Sequence, residues 1–541
     1  MGSASSGWLN RVGFTLASHS REKPATRRRH NWRMVFSNTF SPFLAFPVRS
    51  LVVSALAAAS LAACSHTTRM AAQPQNLPVP AEWANTTAPA TAPAAAPATA
   101  LASDASAAPA LDLAQWWQGF GDAQLVTLIE QALAANPSIV SAQAAVQQAR
   151  AQVEVQRAGL LPSLDASAGG RRSQQGMADA SNSYTVGLDA SWELDLWGRK
   201  RNLVQAGQEN LAATQASLYA AHVSLSAEVA LHYIQLRNAQ ERLRIAQHNL
   251  ALQAQTEQMT RWRVQAGLAA SLDAEQARQT LAQTAAQIPS LQASVRQTQH
   301  ALAVLTGQAP AALLAALAQP APVPAAPPTW AMRLPADTLR QRPDVQAQEH
   351  RVQAALANLS AQERANFPTL RLSGSLGVSA LTLGALSDGA SVARSIAASL
   401  AAPIFDAGAN RAQIAAQQAA VVQARQAYRS SVLAALQEVE DALVQLQSDQ
   451  QRLVHVQVAA EAAGNAQRLA QQRYDSGLID FRTVLESQRS LLASQDSLAS
   501  AQAAISTDVV KLFKALGGGW TKENNQLTDE NIVSQAVSAT E

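Results

Sequence analysis

The stretch "YTVGLDASWELDLWGR", residues 184–199, decides how the rest of the chain is read. Its first eleven residues alternate. Tyr184, Val186, Leu188, Ala190, Trp192 and Leu194 fall on one side, and Thr185, Gly187, Asp189, Ser191 and Glu193 on the other. A period of two predicts a strand that is apolar on one face only. From Gly198 to Ala266 there is then no proline, and apolar residues recur at heptad spacing: Val229, Leu236, Leu243 and Leu250 in one series, Ile245, Leu252 and Met259 in another. Such a run makes a helix of roughly 100 Å. Alanine at the intervening positions lets neighbours approach closely, so it reads as a coiled-coil element.

The plan occurs twice. Residues 136–164 align with 342–370, so that Pro137 meets Pro343 and Pro162 meets Pro368, an offset of 206. From Gly198 and Gly408 to Gly267 and Gly477 the offset is 210, which places a four-residue longer loop in the second half. Duplication predicts two arms of one design. Each begins with alanine-rich helix, read in the first half as one element over 121–161 that Pro162 stops. Weaker strand candidates are 164–170, 370–377 and 395–404, making four strands in two hairpins. Four strands cannot close a barrel, because membrane barrels have no open edge and single-chain ones start at about eight strands. Either the strands form a soluble sandwich or several protomers pool them; the pattern alone leaves both open.

Both long helices end on the same signal. "RVQAGLAASLDAEQAR" (263–278) and "RYDSGLIDFRTVLESQR" (473–489) each place a glycine where the helical pattern pauses. Glycine accepts the left-handed C-cap geometry, and Ser271 or Asp273 is positioned to cap the returning helix of the first pair. Each predicts a tight helical hairpin at the end of the rod opposite the strands.

Composition agrees with long packed helices: the 541 residues are 48% hydrophobic but only 5% aromatic and 15% charged. The formal net charge is +3, yet eight of 41 basic and one of 38 acidic residues precede Cys64. The remainder has 33 basic and 37 acidic residues, a net −4, which argues against nucleic acid as a partner. Arg49 precedes a short apolar run, "LVVSALAAASLAAC" (51–64), too short to span a bilayer and read as a secretory signal. Its end, Leu61-Ala62-Ala63-Cys64, resembles the bacterial lipobox. The resemblance implies that Cys64 becomes a mature N-terminus bearing a diacylglyceryl thioether and an amide-linked acyl chain such as palmitate, with Ser65 favouring the outer membrane. The alternative is a buried free thiol. Residues 1–33 resemble no part of a signal, and Met34 offers a start of its own.

The domains read as follows: 1–63, extension and signal; 64–110, an Ala/Pro-rich tether whose composition disfavours a packed core; 111–308, first repeat; 309–329, Pro-rich inter-repeat linker; 330–520, second repeat; 521–541, tail. Catalysis finds no motif: the nine histidines are scattered, and HExxH, a cysteine pair, a P-loop and GxSxG are missing from the sequence. Asp195 and Asp406 flank turns into helices, where capping is the ordinary role. No enzyme activity, cofactor or metal is expected, and hence no energy source within this chain.

Further motifs carry a resemblance: Trp116, Trp117, Phe120, Asp122, Leu125 and Asn136 at the start of the first repeat, "ELDLWGR" (193–199) with its counterpart "PIFDAG" (403–408), "LPADTLRQRPD" (334–344) and "LFKALGGGW" (512–520). In this order over about 111–520, they resemble the TolC/OprM-like outer membrane factors, in the lipid-anchored NodT/OprM-like branch. The resemblance implies a mainly α fold with β, and a homotrimer whose four strands per protomer form a twelve-stranded barrel above an α-helical tunnel. It also implies an outer-membrane lipoprotein with a large periplasmic portion. Its role would be the passive exit duct of a tripartite efflux system, working with a periplasmic adaptor and a proton-driven inner-membrane transporter of the RND type. By that resemblance Ala266, Gly267 and Leu268, with Ser476, Gly477 and Leu478, meet the adaptor. Asp273, Glu486 and Arg489 match gate positions, and Tyr474 a tip tyrosine. Arg482 and Ile479 depart from the family's usual residues, so the gate reads as an acidic constriction of Glu486, Asp273 and Asp480 that Arg482 and Arg489 partly neutralise. The competing readings are a solvated Glu486–Arg489 pair at the gate, and a poreless, lipid-anchored periplasmic adaptor for the whole chain. The exported substrate is not legible.

Overall fold

The structure, a computed structural model, describes residues 113–174, 176–177, 179–325 and 341–520, all within a unit spanning Pro74–Glu541. Cys64 with its leader, the tether, residues 326–340 with most of the "LPADTLRQRPD" motif, and the 521–541 tail lie outside the described residues.

After a 3₁₀ turn, Leu113–Phe120, the first repeat runs α1 (Ala123–Ala135), α2 (Pro137–Ala158), β1 (Ser163–Ser173), β2 (Ser181–Leu194), α3 (Arg199–Gln265) and α4 (Ser271–Leu305). The second runs α5 (Pro343–Glu363), β3 (Thr369–Ala380), β4 (Val392–Ala401), α6 (Ala409–Asp475) and α7 (Phe481–Ala515). Helices α3 and α6 have 67 residues each, and α4 and α7 have 35 each, so the duplication is exact in the length of these four helices.

The single helix expected over 121–161 is two helices, bent by 42°. Pro137 cannot donate a backbone hydrogen bond and disfavours helical dihedrals at the residue before it. Asn136 is accordingly extended, and its side chain accepts from Ser138 N at 2.8 Å to cap α2. Its amide also donates to Leu305 O at 2.8 Å, anchoring the break to α4.

The strands form one antiparallel sheet in the order β1-β2-β3-β4 rather than a sandwich. Register aligns the two kinds of residue into rows. Ala168, Val186, Val378 and Val392 are successive partners on one face; Asp165, Asp189, Ser375 and Ser395 are successive partners on the other. Both outer strands, β1 and β4, are exposed along their whole length and have no strand partner on their outer edges among the described residues. Indole hydrogen bonds fasten the sheet to the helices: Trp192 Nε1 donates to Leu160 O at 2.9 Å and Trp197 Nε1 to Pro368 O at 2.7 Å. Asp195 and Asp406 cap the helices they precede, accepting from Lys200 N and Arg201 N, and from Gly408 N and Asn410 N.

The main apolar core gathers Trp116, Trp117, Phe120, Leu125, Ile129, Val229, Tyr233, Leu236, Val439 and Phe513. Asp122 caps α1 by accepting from Gln124 N and Leu125 N, and its other oxygen accepts from Tyr233 Oη at 2.7 Å. The Pro-rich segment after α4 belongs to this core. Leu317 is fully buried, and Arg237, 1% exposed, donates to Gln319 O at 2.8 Å. Gln240 and Gln299 both donate to Leu317 O, at 2.9 and 3.0 Å, and Ser506 donates to Pro324 O at 2.6 Å. A segment poor in donors still presents carbonyls, and long side chains of α3 and α4 with a serine of α7 satisfy them.

Arg342, also buried, ties the start of the second repeat to its end. It pairs with Asp344 at 2.7 Å and Glu438 at 2.9 Å, and donates to Ala515 O at 2.6 Å. At the C-terminal "GGGW", Gly519 N donates to Leu113 O at 2.8 Å. Gly519 has φ +105°, and a Cβ there would stand 2.8 Å from Ser226 Oγ, so only glycine fits.

Candidate functional site at the helical tips

Helices α3 and α6 end in the same hydrogen-bonded cap. Gly267 N donates to Val264 O at 3.0 Å and Leu268 N to Arg263 O at 2.7 Å; Gly477 N donates to Tyr474 O at 2.9 Å and Leu478 N to Arg473 O at 2.8 Å. These are Schellman caps. The glycines have φ +73° and +71°, and a Cβ at either would meet nothing within 4 Å, so backbone conformation alone demands glycine there. Leu268 and Leu478 follow at 72% and 73% exposure, two apolar side chains left in solvent at matching places.

The returning helices start differently. Neither Ser271 nor Asp273 caps α4: the N-cap is Ala270, with no side-chain hydrogen bond, because Ser271 is already the first helical residue. Asp273, half-buried, lies in the first turn, where the helix dipole favours its charge. Asp480 does cap α7, accepting from Thr483 N at 3.1 Å and Thr483 Oγ1 at 2.6 Å. Those Thr483 hydrogen bonds hold its carboxyl below the usual aspartate range.

Beneath the tips a small core gathers Ala277, Tyr474, Phe481, Val484 and Leu485. The Tyr474 and Phe481 rings lie 5.4 Å apart, and the Arg263 guanidinium stands 4.6 Å from the Tyr474 ring centre. That contact joins the first tip to the second. Tyr474 is therefore a buried packing residue. Ser476 donates back to Gln472 O at 2.9 Å.

The charged residues assigned to a gate do not form a network within one chain. Arg482 and Glu486 are exposed, and no ion pair joins Glu486 to Arg489 one turn on. Arg489 instead donates to Thr280 Oγ1 of α4 at 2.8 Å.

A feature not anticipated from sequence runs from here along the helices. In the distal part of α3, Asn249, Gln253, Thr256 and Thr260 are buried at spacings of four, three and four, where the proximal part places aliphatics. They face a polar set on α7: Asn249 donates to Gln495 Oε1 at 2.9 Å, Gln488 donates to Thr256 Oγ1 at 2.9 Å, and Arg242 is bidentate to Asp496 at 2.6 and 3.1 Å. A cavity of about 410 Å³ lies along this seam, lined among others by Arg242, Gln253, Thr280, Arg489 and Asp496. Neither amide atom of buried Gln253 has a partner. The signal was present in the sequence as a heptad seam continued by amides and hydroxyls, and an apolar template passes over it.

No cluster of candidate metal ligands occurs among the described residues. The arrangement leaves two exposed apolar apexes, charged side chains in solvent beneath them, and a polar seam beside a cavity.

The chain is similar to known proteins over most of its described length. The family model for outer membrane efflux proteins matches residues 128–308 and 334–518. The chain is 32% identical over 419 residues to the outer membrane protein OprJ of Pseudomonas aeruginosa, covering 76% of this chain and 87% of that one. It is 33% identical over 421 residues to SrpC, the solvent efflux pump outer membrane protein of Pseudomonas putida, covering 75% and 87%. The solved structure of the outer-membrane channel OprN superposes with a TM-score of 0.71 at 35% identity, covering 75% of this chain and 93% of that one.

Proposed function

This chain belongs to the outer membrane efflux protein family, and on that premise we propose that three copies close their sheets into one twelve-stranded barrel continuous with a helical tunnel. The protein is the outer-membrane channel component of an efflux system, with a large periplasmic portion. Its family is one of transport channels, and a poreless periplasmic adaptor is thereby set aside.

One observation carries the trimer. A sheet with an apolar face for lipid and a polar face for water ends in two unpaired edges, β1 and β4. Unpaired backbone groups are prohibitively unfavourable in hydrocarbon, so the edges need partners, and four strands are too few to meet each other. In the order β1-β2-β3-β4 of antiparallel strands, β1 and β4 run in opposite directions, so β4 of one copy can pair antiparallel with β1 of the next. Asp165, Asp189, Glu193 and Arg371 then face the water-filled interior.

The finer assignments follow from the same reading. Cys64 carries the lipid anchor. The exposed apexes at Ala266-Gly267-Leu268 and Ser476-Gly477-Leu478 receive the hairpin of a periplasmic adaptor, whose partner is a proton-driven inner-membrane transporter of the RND type. Glu486 and Asp273 from three copies narrow the mouth, with Arg482 and Arg489 as counter-charges and Asp480 fixing the start of α7. The chain itself performs no chemistry and holds no energy source; it is a duct.

Purified lipidated protein reconstituted into planar bilayers tests the reading. The expected outcome is a trimer in detergent and discrete ion conductance. A stable monomer that leaves the bilayer silent overturns it.

A further inference from the structure

The apolar face of the sheet contains two charges, and both are arginines. Register places Leu164, Ala166, Ala168, Gly170 and Arg172 of β1 in line with Ala190, Leu188, Val186, Tyr184 and Asn182 of β2. Across the sheet, Leu370, Leu372, Gly374, Leu376 and Val378 of β3 meet Leu400, Ala398, Ile396, Arg394 and Val392 of β4. No other acidic or basic residue of the four strands falls on this face; Asp165, Arg171, Asp189, Glu193 and Arg371 all belong to the opposite one.

Position along the strands narrows their role. The ends that adjoin helices, at Ser163, Leu194, Thr369 and Ala401, are the periplasmic ends, so the far ends face outward. Arg172 is the last residue but one of β1 and Arg394 the third residue of β4; Tyr184, on the same face, is the fourth residue of β2. All three lie within four residues of the outer ends of their strands. Arg394 is in line with Leu376, Leu188 and Ala166, six residues along β1 from Arg172. The strand ends step the same way, however, so in a tilted barrel wall both arginines stand near the outer rim, where an aromatic girdle meets the headgroups. Trp192, eight residues down the same row, marks the inner interface. Arg394 is held between Val392 and Ile396, both exposed, and neither arginine makes an ion pair or hydrogen bond with another described residue. A lone guanidinium on a lipid-facing wall is unfavourable at the midplane and tolerated at the interface, where its planar fork matches phosphate oxygens bidentately.

The two arginines stand on the two edge strands. Resting on the barrel reading above, each β4–β1 junction carries Arg394 on one side and the neighbouring protomer's Arg172 on the other, three times around the barrel. We propose that each junction is a binding site for the phosphate groups of a phosphorylated glycolipid in the outer leaflet, which staples adjacent protomers from the lipid side.

The test uses the trimer purified from outer membranes, with co-purifying phosphorylated glycolipid quantified per trimer by native mass spectrometry. Arg172→Gln combined with Arg394→Gln is expected to retain roughly tenfold less, losing two charge-assisted pairs per site, with trimer and conductance intact. Arg171→Gln, on the opposite face, keeps the wild-type amount. Equal retention by the double variant, or equal loss in Arg171→Gln, overturns the proposal while leaving the channel reading in place. Wild-type trimer in nanodiscs gives a second readout without substitution: it should hold the glycolipid in preference to the same lipid stripped of phosphate. Equal retention of the two overturns the site. A wild-type protein that neither trimerises nor conducts would defeat the barrel reading and the site together.

Discussion

Arg489 Nη2 lies 2.8 Å from Thr280 Oγ1, a single bond that ties the returning helix of one repeat to that of the other. The two tips are also joined by Arg263 over Tyr474 and by Ala277 in the small apolar core it shares with Tyr474 and Phe481. A charged donor to a hydroxyl is worth about 1 kcal/mol when one partner stays in solvent. Removing it by Arg489→Ala or Thr280→Val is expected to raise the resting conductance of single channels several-fold, with the trimer unchanged. Unaltered conductance in both variants would count against any restraint at this point.

The exposed Glu486 and half-buried Asp273 form no ion pair with another described residue. If three copies of each narrow the mouth, like charges repel there and bind cations. Glu486→Gln with Asp273→Asn should then weaken block by divalent cations and change resting conductance. Single-channel recording decides, and an identical trace removes the acidic constriction.

Gln253 buries both amide atoms without a partner beside the seam cavity. Burying such a group costs about 1–3 kcal/mol relative to an apolar side chain of similar size. Gln253→Leu is expected to raise the trimer's thermal unfolding temperature by a few degrees and to slow opening, because a dry seam resists sliding. Unchanged stability together with unchanged gating would show that the polar seam has no such role.

Asp508, almost fully buried on α7, has its carboxyl pushed up to about 6, first by burial and then by hydrogen bonding to Asp449 of α6. A carboxyl whose folded pKa exceeds its unfolded value contributes stability below the unfolded pKa, near 4, and loses it as pH rises through about 6. The protein should therefore be more stable near pH 4.5 than near pH 7.5 as far as this group is concerned, by at most about 3 kcal/mol. Asp508→Asn should flatten that dependence in thermal melts at the two pH values. An unflattened profile assigns the dependence elsewhere.

The strands and tips were legible because each rests on a local rule. Alternation from Tyr184 to Leu194 fixes which face is apolar, and Gly267 and Gly477 meet a backbone requirement that few other residues satisfy. What escaped depends on contacts far apart in sequence. The proline at 137 was visible, but helical spacing on both sides of it suggested continuity until Asn136 was seen to bond Leu305. The Pro-rich segment after α4 looks like a spacer until Arg237, 82 residues earlier, reaches Gln319. The amides and hydroxyls at 249, 253, 256 and 260 are ordinary surface types, and only their burial reveals a seam. The sequence offers Asp480 and Arg489 as charges near a gate; that Asp480 caps α7 and Arg489 reaches Thr280 depends on where Thr483 and Thr280 stand in the fold.

The hydrogen bond from Gly519 to Leu113 makes neighbours of the first described residue and the last but one. The connectivity of the two repeats is in that respect circular, with no obligatory starting point. A permuted gene that opens at one apex, carries the second repeat ahead of the first and joins 519 to 113 by a short bridge would preserve every strand partner and every coiled-coil contact. Ancestral order of the two halves is thus a historical matter.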